Sequence, residues 1–234
     1  MTEVIVALDV DSIQEEEELL KKLKGTVRYF KVGLRLFTAH GKRAVELVHR
    51  YGGRVFLDLK FHDIPQTVAH AVHEAQKMHV YSLSLHLSGG ADMLHAAAQV
   101  YPRPKLWGVS VLTSLTTQDL RMIHPQASVR PMVRRLAKTG IKNKIDGIVC
   151  SGQEVAPLKK ALGPETCFVT PGIRPDGSQT HDQKRIVTPG EAARLGIRFA
   201  VIGRPITKAH DPLGAAQDIL SEMKNAAPHS LETA

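Results

Sequence analysis

Short apolar runs recur along the chain, and longer stretches with apolar residues three and four apart fill the gaps between them. The runs are VIVALD (4–9), VRYFKV (27–32), RVFLDLK (54–60), VYSLSLH (80–86), LWGVSVLT (106–113), GIVC (147–150), CFVT (167–170) and FAVIG (199–203). Their brevity and their β-branched and aromatic content read as strands. The stretches between, such as IQEEEELLKKL and GKRAVELVHRYG, carry helical periodicity. Strands alternating with helices from end to end predict βαβ units and a parallel sheet. Eight such runs in 234 residues predict a closed (β/α)8 TIM barrel, a single domain over residues 1–225. An open doubly wound sheet would want a Gly-rich phosphate turn after its first strand, and ALDVDS has none. The last segment, AAPHSLETA (226–234), is small and polar and is expected to be a flexible tail.

Side chains along a barrel strand alternate between the interior and the surrounding helices. In RVFLDLK the helix-facing set is Val55, Leu57 and Leu59, all apolar. The interior set is Phe56, Asp58 and Lys60, charged toward the C-terminal end. Asp9 falls in phase with Ile5 and Ala7, and Lys31 in phase with Tyr29. Three neighbouring strands therefore deliver charge to the C-terminal mouth, where barrel enzymes place their chemistry. Such charges are costly to bury unless they pair, so an alternating Lys–Asp array is expected. Asp63, two residues before Pro65, reads by itself as a helix-start signal. Near the other end, FVTPGIRPDGSQTHDQKRIVTPGEAA predicts a strand end and a long lid-like loop carrying Arg174 and Gln183. IGRPIT then puts Gly203 and Arg204 after the eighth strand, where barrels commonly hold phosphate.

Composition narrows the classes. The apolar fraction of 43% is ordinary for a globular chain. No apolar run approaches the length of a membrane span, and the N-terminus lacks a basic region and cleavage site, so a cytoplasmic protein is expected. Cys150 and Cys167 form no CxxC or metal-like pair and read as buried thiols of a reducing compartment. The net charge of +8 is dispersed through KKLK, RPMVRRLAK, IKNK and LKK without interleaved aromatics. That pattern fits solvated helix faces and attraction of an anionic substrate better than nucleic-acid binding. Of twelve histidines, His86 is the one best placed at a strand end, with no second to pair with it; paired His and Asp ligands, as in a phosphosugar epimerase, are not expected. Nothing in the sequence suggests a pyridoxal or thiamine site, so no cofactor and no metal are expected.

Several segments together resemble the orotidine 5′-phosphate decarboxylase family over essentially the whole chain. They are ALDV (7–10), FKVGLRLF (30–37), FLDLKFHDIPQTV (56–68), LHLSGG (85–90), VLTS (111–114), VTPGIRP (169–175), DQKRI (182–186) and VIGRPIT (201–207). A wider barrel superfamily shares the D-x-K-x-x-D core. Followed by I-P-x-T and joined by TPGIRP and GRPI in order, it is specific. The resemblance implies cofactor-free decarboxylation of orotidine 5′-monophosphate (OMP) to UMP and CO2, the final step of de novo pyrimidine nucleotide biosynthesis. It implies that Asp58, Lys60 and Lys31 surround the scissile carboxylate, with Lys60 as proton donor. Asp63, with Ile64 and Thr67, resembles a segment donated across a homodimer interface. Asp9 and Lys31 would meet the ribose, and Thr113 and Ser114 the pyrimidine. Gln183, Gly203 and Arg204 would hold the phosphate, with Arg174 on the lid. Arg35 and Leu87 depart from the family pattern and are expected to affect local packing alone.

The main rival is a Mg²⁺-dependent sugar-phosphate decarboxylase or aldolase of the same barrel superfamily, in which the acids would hold a metal. Two lysines in the site, Lys31 and Lys60, oppose a divalent cation there. A non-catalytic nucleotide-binding or RNA-associated barrel would leave the acid, base and lid residues without a role.

Overall fold

Every one of the eight apolar runs holds a strand in the computed structural model, which describes residues 1–122, 124–176 and 186–227. The strands are β1 (Glu3–Ala7), β2 (Tyr29–Gly33), β3 (Arg54–Phe61), β4 (Ser82–His86), β5 (Lys105–Val109), β6 (Gly147–Val149), β7 (Phe168–Pro171) and β8 (Phe199–Ile202). All neighbours pair in parallel, and β8 closes onto β1 through a register from Glu3–Phe199 to Val6–Ile202. Helices separate the strands, as the periodicity required. The first and fifth strands stop at Ala7 and Val109, earlier than the apolar runs suggested. Beyond those points the backbone turns off the ladder, with the Asp9 N–H donating to the Ala7 carbonyl at 2.9 Å. Past the turns Asp9, Val111, Leu112 and Thr113 line the mouth, while Leu8 and Val10 pack into the outer, helix-facing cluster.

The expected alternation divides the apolar residues into two clusters. Ile5, Ala7, Tyr29, Phe56, Trp107, Val169, Phe199 and Val201 meet inside the barrel. Val4, Val6, Phe30, Val32, Val55 and Leu57 face the helices and join the larger outer cluster. The Trp107 ring lies 4.5 Å from that of Phe56 and 4.9 Å from that of Phe199, measured between centroids. Aromatic packing of this kind adds about 0.5–1.5 kcal/mol per pair beyond area burial. It fills the barrel beneath its C-terminal end, so the remaining space lies at the mouth. No helix among the described residues is long and apolar enough to cross a membrane. The last helix, Pro212–Ala226, runs into the segment read as a tail, most of which lies outside the described residues.

Leu87, one of the two departures noted above, is fully buried. Its side chain occupies space that Gly108 on β5 and Gly140 leave open; a Cβ on Gly140 would lie 2.8 Å from Leu87 Cδ2. The larger residue is thus matched by two small ones.

Glu16 breaks the outer pattern. It sits on the helix Ile13–Leu23 with no exposed surface, and neither carboxylate oxygen has a hydrogen-bond partner. Burial pushes its carboxyl up to about 8, so it is protonated in the folded chain at neutral pH. In the unfolded chain it ionises near 4.5. Stability from this difference is complete below that value and is lost as pH rises through about 8, because only the unfolded state has released the proton. The Glu16→Met variant is therefore expected to be more stable than the native chain at pH 8, by about 3–5 kcal/mol. Urea midpoints measured from pH 5 to pH 8 check this: the gap should widen with pH. A gap that stays constant contradicts a buried neutral carboxyl.

Candidate active site

The C-terminal ends of β1, β2 and β3 bring four of the expected residues together. Lys31 Nζ lies 2.9 Å from Asp9 Oδ1 and 3.7 Å from Asp58 Oδ2. Lys60 Nζ lies 2.9 Å from the same Asp58 Oδ2. The order Asp9–Lys31–Asp58–Lys60 is the alternating array expected from the sequence. Lys31 and Asp58 keep only 11% and 14% of their side-chain surface, so the centre of the array is nearly dry. Burial alone would push the Asp58 carboxyl up. The ammoniums of Lys31 and Lys60, with hydrogen bonds from Ser84 and Lys60, outweigh it and hold Asp58 below its ordinary value. Asp58 is therefore ionised at neutral pH, and each ammonium has a carboxylate beside it.

These groups line a cavity of about 430 Å³. Its floor is Ala7, Phe56, Val109, Val149 and Val201, the upper surface of the barrel core. Thr113, Arg174, Gly203 and Arg204 also line it, as expected. Arg174 is buried rather than exposed on a loop tip. Its backbone N–H donates to the Val187 carbonyl at 3.0 Å, and Nη1 donates to the Ile173 carbonyl at 3.0 Å. These bonds tie the base of the long loop together. Gln183 lies outside the described residues.

Other residues lie outside the cavity, or in surroundings that sequence spacing does not show. Ser114 is exposed and is not among the cavity-lining residues. Asp63, Ile64 and Thr67 are exposed and do not line their own chain's cavity. Asp63 Oδ1 accepts the Ile64 N–H at 2.6 Å, while Ile64 itself is the N-cap of the helix Pro65–Lys77. His86 does have a second histidine beside it: the His62 ring stands 5.2 Å away, tilted by 33°. The two are far apart in sequence, and only the turn after β3 brings them together. Burial, then the neighbouring His62 and Lys60, hold the His86 imidazole below its ordinary value despite the opposing charge of Asp58. Arg35 is not confined to local packing. It lines the mouth, donates to the Asp9 carbonyl at 3.1 Å and forms an ion pair with Asp11. Lys208, which no sequence motif singles out, lines the same cavity from beyond β8.

Gly33 was also missed. A Cβ there would lie 2.7 Å from Lys31 Nζ and 3.4 Å from Asp9 Oδ1. Its backbone is extended (φ −102°), so space rather than backbone conformation requires the glycine. Since a lysine terminus can swing aside, Gly33→Ala is expected to fold normally yet displace Lys31, lowering kcat about tenfold or more. Comparison of thermal unfolding with turnover checks this; equal activity would mean that Lys31 tolerates the shift.

The position a metal would take between the two carboxylates is held by the Lys31 ammonium. Among the described residues no group of three or more His, Cys, Asp or Glu side chains could hold a metal ion.

Residues 2–219 match the family model described as "Orotidine 5'-phosphate decarboxylase / HUMPS family". A protein of Opitutus terrae named "Orotidine 5'-phosphate decarboxylase" is 45% identical over 227 residues, covering 95% of this chain and 99% of that one. One of the same name from Syntrophotalea carbinolica is 44% identical over 232 residues, covering 95% of both. The crystal structure of orotidine 5′-phosphate decarboxylase from Lactobacillus acidophilus superposes with a TM-score of 0.84 at 34% identity, covering 95% of this chain and 99% of that one. Barrel, charge array and matches running nearly end to end agree, and the chain belongs to the orotidine 5′-phosphate decarboxylase / HUMPS family.

Proposed function

We propose that the chain converts OMP to UMP and CO2 without metal or cofactor, with Lys60 as proton donor. The observation that carries this reading is Asp58 Oδ2 held between two ammoniums in a nearly dry mouth. Breaking the C6–carboxylate bond leaves an electron pair in the plane of the pyrimidine ring, where the ring π-system cannot spread it. Stabilisation must come from a nearby cation, and the pair must then capture a proton. An ammonium supplies both. The Lys60 proton goes to C6, CO2 departs, and the resulting amine regains a proton from solvent. Asp58 keeps Lys60 positioned and charged, and it also faces the substrate carboxylate. Two like charges about 4 Å apart repel by roughly 4 kcal/mol at an effective dielectric near 20, worth about a thousandfold if relieved at the transition state.

In this reading Asp9 and Lys31 meet the ribose, Thr113 and Ser114 the pyrimidine, and Gly203, Arg204 and Gln183 the phosphate, with Arg174 beside it. Asp63, Ile64 and Thr67 complete the site of a second copy in a homodimer; their exposure, with Ile64 leaving 66% of its surface bare, supports a covered position. Residues 1–225 act as one catalytic domain in the cytoplasm. The Mg²⁺-dependent sugar-phosphate reading is disfavoured because the Lys31 ammonium stands between the carboxylates a metal would need. Equimolar UMP and CO2 from OMP, with deuterium at C6 when the reaction runs in heavy water, are the expected products. Absence of UMP contradicts the assignment.

A further inference from the structure

We infer that Ser84 is a positioning residue for the decarboxylation, its single hydroxyl orienting both Asp58 and the backbone that carries Lys60. This rests on the proposed roles of Asp58 and Lys60.

The ladder between β3 and β4 is regular through Leu57–Leu83 and then slips, resuming at Phe61–Leu85. Four residues of β3 thus advance against two of β4, and both charged side chains lie in the irregular stretch. Lys60 occupies the left-handed region there, at φ +52°. A non-glycine residue in that region is costly and persists only where its surroundings enforce it. The slip also removes the Lys60 N–H from ordinary strand pairing.

Ser84 resolves both problems. It is buried, and its alternation places it inside the barrel between Ser82 and His86. The Lys60 N–H donates to Ser84 Oγ at 2.9 Å. The hydroxyl has one proton of its own, and it goes to Asp58 Oδ1 at 2.7 Å. The direction of the chain follows from that count of donors and acceptors. Because Oδ1 takes this proton, Oδ2 is left to Lys60 and Lys31. A hydroxyl donates more strongly to a carboxylate oxygen than to a neutral carboxyl. It therefore favours the charged carboxylate and pins the plane in which Lys60 is held.

Charged or titratable groups surround Asp58: Lys31 on β2, Lys60 on β3, and on β4 the His86 imidazole, held below its ordinary value, with the His62 ring 5.2 Å from it. Ser84→Ala changes none of these. It should lower kcat for OMP about tenfold to a hundredfold, the usual range for a hydrogen bond to a buried charged group. KM should stay within about threefold, because the groups proposed for ribose and phosphate are untouched. The acidic limb of the kcat–pH profile should move to higher pH, since Asp58 loses a bond that favours its ionised form.

The test measures kcat, KM and the pH profile for the native chain, Ser84→Ala, Ser84→Cys and Ser84→Thr. Ser84→Thr, which restores the hydroxyl, should recover most of kcat and return the acidic limb. A folded Ser84→Ala with native kcat, or with an unmoved acidic limb, overturns the role. Should Ser84→Ala fail to fold, Ser84→Cys keeps the volume with a weaker hydrogen bond, and its difference from Ser84→Thr decides the same question. Native-chain turnover abolished by Lys60→Ala keeps the proposed function standing whichever way Ser84 falls.

Discussion

Lys60→Ala is expected to lower kcat for OMP by about 10⁴-fold or more, while KM changes by no more than about tenfold. Two contributions act through this one ammonium. General acid catalysis is worth roughly 10²–10⁴, and preorganised electrostatic stabilisation of developing charge about another 10²–10³. The Lys60 Nζ–Asp58 Oδ2 distance of 2.9 Å fixes the donor before substrate arrives, so neither contribution requires reorganisation. Substrate binding suffers less because Gly203 and Arg204 follow β8, with β1 and β2 between it and the β3 that carries Lys60. Removing one ammonium still leaves Asp58 beside Lys31 at 3.7 Å, which limits damage to the fold. Steady-state and single-turnover kinetics read the effect directly. A loss smaller than tenfold would move the proton-donor role to another group.

Arg204→Ala is the second large effect. Its kcat/KM for OMP is expected to fall by about 10²–10³, the cost of leaving a bound phosphate without a charge-assisted partner. Turnover of orotidine, which lacks the phosphate, should hardly change. Part of the loss should appear in kcat, because phosphate binding energy can help assemble the charged site around the reacting centre. Kinetics of the native and variant chains on both substrates give the double comparison. Equal losses on OMP and orotidine would show that Arg204 does not serve the phosphate. Arg35 and Lys208, which also line the cavity, would then be the cations to examine next.

The fold was legible because period-2 alternation is enforced by the barrel itself. Phe56, Asp58 and Lys60 had to share a face once β3 was recognised, and the in-phase positions of Asp9 and Lys31 brought the rest of the array to the same mouth. What escaped the sequence depends on contacts between strands. Ser84 looks like an ordinary small polar residue until β4 is placed beside the slipped ladder of β3. The closeness of His62 and His86 needs the turn after β3, and the need for glycine at 33 appears only when Lys31 is seen to pass over it. Strand ends were overestimated at Asp9 and Thr113 because site residues beyond the ladder continue the same apolar and polar rhythm. Glu16, within the acidic run EEEE, is buried among the apolar residues of its helix. It lies three residues after Ile13 and four before Leu20, so it shares their buried face, and neither carboxylate oxygen finds a partner there.

The most direct measurement follows loss of orotate-ring absorbance from OMP by the native chain in excess EDTA, before and after addition of Mg²⁺. The account predicts full turnover in EDTA and no gain on adding Mg²⁺, since Lys31 and Lys60 supply the positive charge at the site. Turnover that appears only when Mg²⁺ is restored would contradict it.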